Sequence, residues 1–327
     1  MDGSVNESFG GQIAKEQAEN GKFKNPLVTA DGSQRARVDF VRQTTLWFNT
    51  GTLCNIECRN CYIESTPTND RLVYITADEV SDYLWQMREL QWSVSEIGFT
   101  GGEPFMNPQI IAMIKRSLEA GLEVLVLSNA MRPMMRPRVQ QGLIELNDRW
   151  PGKLCIRVSL DHYSEARHDL ERGKGTFEKS LMGMDWLRDQ KIRMMVAGRT
   201  IWGENDSESR RGYARLFSER GYDIDPFDPV ATVLFPEITP TADVPEITSE
   251  CWDILGVRPE DMMCSSSRMV VKRKGASHPS VVACTLLPYE PQFDFGRHLR
   301  DAEASIMLNN PACAQFCVLG GASCSRK

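Results

Sequence analysis

No run of apolar residues in this chain approaches the roughly 18 needed to cross a bilayer, so no membrane span is expected. The stretch from Met1 to Lys24 is polar and glycine-rich and has no apolar h-region, so no signal peptide is expected either. Histidine is scarce. The four present, His162, His168, His278 and His298, show no metal-ligand spacing, which argues against a histidine-built metal site. An excess of positive charge is also missing. The formal net charge is −6, which gives no reason to expect a nucleic-acid partner. The only basic cluster, Val271-Lys272-Arg273-Lys274-Gly275, reads as the solvated tip of a strand pair.

Cysteine is plentiful. Ten cysteines in a chain without an export signal point to metal or cluster ligation rather than disulfides, and so to the cytoplasm and an oxygen-poor setting. With 327 residues, 41% of them hydrophobic, the chain can bury a sizeable core as one large domain, or as one domain with a smaller one appended.

Three of the cysteines fall in one short run, Cys54-Asn55-Ile56-Glu57-Cys58-Arg59-Asn60-Cys61-Tyr62. Three thiolates at this spacing can hold three irons of a four-iron, four-sulfur cluster. The fourth iron is then left without a protein ligand and can bind a molecule. Ferredoxin spacings close every iron, and zinc sites pair two ligands and add a second pair further on. A helix face of buried cysteines is the blander alternative. Asn55, Glu57, Arg59 and Asn60 make the segment polar, and no helix-period apolar face continues on either side. About forty residues on comes Phe99-Thr100-Gly101-Gly102-Glu103-Pro104. Alone, such a run is more often a turn than a site. Glycines there let the backbone approach a ligand closely, and carbonyls at a strand end accept from an ammonium group.

Together the two motifs resemble the radical SAM (S-adenosylmethionine) enzymes. The resemblance covers about residues 44–236. It implies an open-iron cluster on Cys54, Cys58 and Cys61, with S-adenosylmethionine bound near Thr100, Gly101, Gly102, Glu103 and Pro104. The family commonly has an aromatic residue before the third cysteine. Here a hydrogen-bonding side chain, Asn60, stands in its place, and the aromatic Tyr62 follows one residue later.

Periodicity supports an α/β fold. Strands are expected over 44–49, 96–100, 123–128, 154–160, 193–200 and 231–235, alternating with helices over 76–90, 108–120, 139–146, 177–190 and 207–220. Such alternation implies a parallel sheet with helices outside and chemistry at the C-terminal strand ends. The resemblance makes this a partial (β/α)6 TIM-like barrel. The strand ends carry Ser128-Asn129, Ser159-Leu160-Asp161 and Arg199-Thr200. By resemblance Ser128, Asn129 and Ser159 are candidate S-adenosylmethionine contacts, and Arg199 is a bidentate partner for its carboxylate. Asp161 and His162 are candidates for the substrate site. Such polar groups also serve simply as strand caps.

Beyond residue 250 the alternation stops and Cys251, Cys264, Cys284, Cys313, Cys317 and Cys324 follow. A β-hairpin is expected between Cys264 and Cys284, bringing those two together. The pattern looks like the SPASM and twitch extensions. This implies an auxiliary 4Fe-4S cluster on four of Cys264, Cys284, Cys313, Cys317 and Cys324, with zinc or buried redox cysteines as alternatives. Cys251 and Cys155 read as packed rather than ligating. The expected division is an arm over 1–40, the barrel over 41–240 and a cysteine-rich domain over 241–327.

The function the resemblance implies is reductive cleavage of S-adenosylmethionine to a 5′-deoxyadenosyl radical, which removes a hydrogen atom from substrate. A flavodoxin or ferredoxin is the expected reductant, and a peptide or small polar metabolite the substrate. The short N-terminal stretch speaks against a peptide-leader-binding domain. Net oxidation or bond formation with the auxiliary cluster as electron acceptor is one outcome. A redox-neutral rearrangement with that cluster as substrate anchor is another. An iron–sulfur electron carrier or redox sensor is the reading from another class, and the Gly101-Gly102-Glu103-Pro104 motif argues against it.

Overall fold

Six parallel strands in strict sequence order form the centre of the molecule. The computed structural model describes residues 21–239 and 243–323. A short first strand, β1 (Arg37–Val38), stands outside the main sheet. It is followed by β2 (Thr45–Asn49), β3 (Glu96–Thr100), β4 (Glu123–Ser128), β5 (Leu154–Ser159), β6 (Arg193–Arg199) and β7 (Thr232–Phe235), which lie side by side in that order. The crossovers are helical: α1 (Ala77–Glu89), α2 (Ile110–Glu119), α3 (Pro137–Arg149), α4 (Glu165–Arg172) with α5 (Thr176–Asp189), and α6 (Asp206–Arg220). The strands are apolar on both faces because both faces are covered. On β2, Leu46 and Phe48 face the outer helices, while Trp47 belongs to a second apolar cluster with Leu125, Cys155 and Met195.

Local signals account for most boundaries. Thr76 caps α1 through a reciprocal pair with Glu79, and Val80, Leu84 and Met87 are buried along one face. Gly121 follows α2 in the left-handed region, φ +85°, where a Cβ would be strained. Helix α4 is not among the helices expected from periodicity. Its sequence, Glu-Ala-Arg-His-Asp-Leu-Glu-Arg, buries only His168 and Glu171. Its inward stripe is polar, so apolar periodicity gives no sign of it.

The hairpin departs from expectation in where it attaches. It consists of β8 (Ser267–Val271) and β9 (Ser280–Val282), turning at Gly275. β8 pairs in parallel with β2, so the hairpin continues the barrel sheet, which has eight strands in the order β7-β6-β5-β4-β3-β2-β8-β9. The basic run at its tip is tied down rather than simply solvated. Lys272 meets Glu79, Arg273 meets Asp294 and Lys274 meets Asp70. A last strand, β10 (Ile306–Met307), pairs with β1. The N-terminal segment also packs onto the C-terminal region: Phe23, Ala36 and Val38 are buried there, and buried Arg35 pairs with Glu246. The second apolar cluster therefore joins one face of the sheet to the C-terminal cysteines.

Candidate active site

The glycine motif at the end of β3 is stitched to the loop after β2. Thr50 N donates to Thr100 O at 2.8 Å, Gly102 N to Gly51 O at 2.8 Å and Glu103 N to Leu53 O at 3.1 Å. A Cβ on Gly102 would lie 2.2 Å from Leu53 O, and one on Gly101, at φ +147°, would lie 2.5 Å from Gly51 O. The close approach that requires glycine here is thus to the cysteine loop itself, where the sequence suggested a ligand. The two motifs form one backbone unit.

Cys54, Cys58 and Cys61 line a single cavity together with Thr100, Gly101 and Gly102. Ser128, Asn129, Ser159, Asp161 and Arg199 line it from the other strand ends. Tyr62 also lines it, with its hydroxyl donating to Pro236 O at 2.6 Å and its ring edge-on to Phe316. Glu103 and Pro104 are buried behind the cavity. There the Glu103 carboxylate accepts from Ser128 Oγ, Asn129 N and Phe105 N, fastening β4 to the motif. Burial outweighs these bonds and pushes its pKa up to about 7. His162 turns elsewhere, its ring tilted over Tyr163, edge-on to Trp202 and hydrogen-bonded to Glu204.

Three residues with no motif of their own complete the site. Arg172, the last residue of α4, lines the cavity and grips Asp161 bidentately at 2.7 and 2.8 Å. Burial would raise the Asp161 pKa, but Arg172 and Arg199 hold it below the usual carboxylate value. Glu171 accepts from Asn60 N at 2.8 Å and Asn60 Nδ2 at 3.1 Å, while its own carbonyl accepts from Arg59 N. Asn60 thus hydrogen-bonds to protein. Ser65 lines the cavity and donates its N–H to Cys61 Sγ at 3.3 Å.

The site fits a cluster and an anionic ligand. Burial, with Glu103 next, raises the Cys54 thiol to about 12; burial raises Cys58 to about 11 although Arg172 opposes it. Loading such thiols must therefore release protons. Arg199 is already engaged: it donates Nη2 to Asn60 O at 2.6 Å and sits 4.5 Å from the centre of the Tyr62 ring. Its buried Nη1 has no hydrogen-bond partner among the described residues, and a carboxylate in the cavity would supply one.

A second, apolar cavity lies beside the first. Cys264, Cys284, Cys313 and Cys317 all line it. Cys313 and Cys317 come from a π-helical turn, Cys313–Val318, whose wide winding brings residues four apart to one face. Among the described residues no three His, Cys, Asp or Glu side chains converge as a single metal ion would require. The four sulfurs surround a void instead. Leu286 lines both cavities. Cys251 is bonded to Thr248 outside this group, Cys155 is buried in a barrel strand, and Cys324 lies outside the described residues.

The radical SAM superfamily profile matches residues 48–211, half of the 327-residue chain. The chain belongs to the radical SAM superfamily. Membership brings a four-iron cluster and S-adenosylmethionine as cofactors. Among curated proteins, this radical SAM chain is 28% identical over 185 residues to the antilisterial bacteriocin subtilosin biosynthesis protein AlbA of Bacillus subtilis, covering 55% of the chain and 38% of that protein. It is 27% identical over 139 residues to the AdoMet-dependent heme synthase of Methanosarcina barkeri, covering 41% of the chain and 36% of that protein. The matches thus span well under half the length of either relative. Among solved structures, SuiB of Streptococcus suis bound to S-adenosylmethionine superposes with a TM-score of 0.57 at 11% identity, over 86% of this chain and 67% of that one. His-tagged anSMEcpe with bound AdoMet gives 0.55 at 14% identity, over 80% and 77%. These likenesses establish the shared fold.

Proposed function

We propose that this chain cleaves S-adenosylmethionine reductively and uses the resulting radical to oxidise or cross-link a peptide, working in the cytoplasm with a flavodoxin or ferredoxin as reductant. The single observation that carries this is the shared cavity: three cysteines and the glycine motif, joined by backbone hydrogen bonds, face a buried arginine with an unpaired nitrogen. When bound, the cluster and S-adenosylmethionine supply one-electron cleavage of the sulfonium to methionine and a 5′-deoxyadenosyl radical that takes hydrogen from an unactivated carbon.

The chain's own residues bind and orient. Cys54, Cys58 and Cys61 are the cluster ligands, helped by the N–H of Ser65 aimed at Cys61 Sγ. Arg199 Nη1 receives the ligand's carboxylate, and Gly101 and Gly102 line the cavity for its amino group. Leu127, Ala197 and Phe235 give the cavity apolar walls that exclude water from the reacting carbon. Cys264, Cys284, Cys313 and Cys317 would hold an auxiliary cluster. With four thiolates available, every iron would have a protein ligand, which favours electron acceptance over substrate anchoring. The Cys284-Thr285-Leu286 segment connects the two cavities.

A peptide substrate is supported by two likenesses. SuiB has been solved with the precursor peptide SuiA, and AlbA is a bacteriocin biosynthesis protein. The heme synthases among the relatives favour a second reading, a small-molecule substrate. The test is anaerobic reconstitution with S-adenosylmethionine and dithionite. Formation of 5′-deoxyadenosine is expected; none from protein with intact clusters overturns the proposal. Iron content should be about eight per chain. About four iron with one zinc would replace the auxiliary cluster with a zinc site.

A further inference from the structure

Arg268 is a buried cation with no carboxylate beside it among the described residues. It lies on β8 and is 1% exposed. Its Nε donates to Ala302 O at 2.7 Å, Nη1 to Cys264 O at 2.5 Å and Ser267 O at 2.8 Å, and Nη2 to Ala304 O at 3.0 Å. Every acceptor is a neutral main-chain carbonyl. The rings of Phe40 and Phe295 lie 3.8 and 5.4 Å from the guanidinium carbon. By contrast, buried Arg35 faces Glu246 and buried Arg172 faces Asp161.

A guanidinium stays protonated in proteins, so this charge cannot be shed by titration. A buried charge with only dipoles around it is strongly disfavoured unless an opposite charge compensates it. Of the ionisable side chains described, Cys264 and Cys284 are those whose charge would bear most on Arg268. Both line the four-cysteine cavity, and the Cys264 main chain is in direct contact with the guanidinium. As protonated thiols they supply no counter-charge. Ligated to a cluster as thiolates they supply it.

We propose that Arg268 is the built-in counter-cation of the four-cysteine site and raises its reduction potential, making it a readier electron acceptor. The proposal rests on the auxiliary-cluster reading above. A four-iron cluster held by four thiolates is anionic, and taking up an electron makes it more so without transfer of a proton. A nearby fixed cation stabilises the reduced form more than the oxidised one, and net charge around a cluster is among the factors that set its potential. Arg268 is therefore a positioning and tuning residue that acts through Cys264 and Cys284.

The test uses the full chain with Cys54, Cys58 and Cys61 replaced by alanine, so that only the second site can hold a cluster. Its potential is read by a dithionite titration followed by electron paramagnetic resonance. Arg268→Gln should shift the midpoint to a more negative potential, and Arg268→Lys should leave it near the parent value. Phe40→Glu sets a carboxylate beside the intact guanidinium and should also shift the midpoint negative. It decides the matter if Arg268→Gln does not fold. A cluster whose midpoint is unmoved or rises in these neutralised variants overturns the inference alone. A parent that binds no cluster at all overturns the auxiliary-cluster reading, and this inference with it.

Discussion

Arg199 shows how far a single residue can be read from sequence. Its place at a strand end and its charge marked it as a carboxylate partner, and the unpaired Nη1 gives that expectation an atom. What sequence could not supply is its other work, the bond to Asn60 O and the stacking on Tyr62, because those partners are more than a hundred residues away. Replacing Arg199 with Gln should weaken S-adenosylmethionine binding by about 10- to 100-fold, the loss of about 1.5–3 kcal/mol expected for a charged hydrogen bond. Isothermal titration on reconstituted protein checks this, with iron content as the control. His168 offers a second test. It is fully buried, neither ring nitrogen has a hydrogen-bond partner among the described residues, and burial, reinforced by Arg172, lowers its pKa from 6.5 to about 4. The unfolded chain then binds the proton more readily, so stability falls as pH drops from about 6.5 to about 4, by about 3 kcal/mol in all. Urea midpoints across that range should show the loss in the native chain and less of it in His168→Phe. Equal slopes in both would refute the assignment.

At the level of elements, the barrel strands were legible and α4 was not. The expected β3, Glu96–Thr100, coincides with the observed strand because its apolar run is bounded by clear turn signals. Helix α4 holds the cysteine loop with Glu171 and the cavity wall with Arg172, yet its buried stripe is polar and its one leucine, Leu170, is exposed. Both main-chain N–H groups between Cys58 and Cys61 donate to Glu171. Glu171→Ala should therefore lower iron at the first site while the second site keeps its own, and Glu171→Gln, which retains an acceptor, should lose less. Electron paramagnetic resonance spin counts distinguish the two sites. Gly102→Ala is a harsher change at the same loop. Its Cβ would meet the main-chain oxygen of Leu53 at 2.2 Å, which no side-chain rotation can relieve, so the loop must move. First-cluster occupancy should fall severalfold with little change in the far-ultraviolet circular dichroism.

At the scale of the whole molecule, the cysteine clusters were readable as two groups, but their adjacency was not. Spacing along a chain does not report that β8 pairs with β2, a partnership across more than two hundred residues. Nor does it report that Leu286 lines both cavities. Even so, the two groups should load independently. Alanine at Cys54, Cys58 and Cys61 should reduce iron from about eight to about four per chain, and measured iron near zero would contradict this. The β2–β8 pairing also bears on how the protein is made. During synthesis β2 emerges before its partner β8, and the edge that β8 covers stays unpaired until residues 267–271 leave the ribosome. Over the more than two hundred residues that separate the two strands, the loop bearing the first three cysteines therefore hangs from an unfinished sheet. The edge most in need of protection from aggregation is covered only when that short strand arrives.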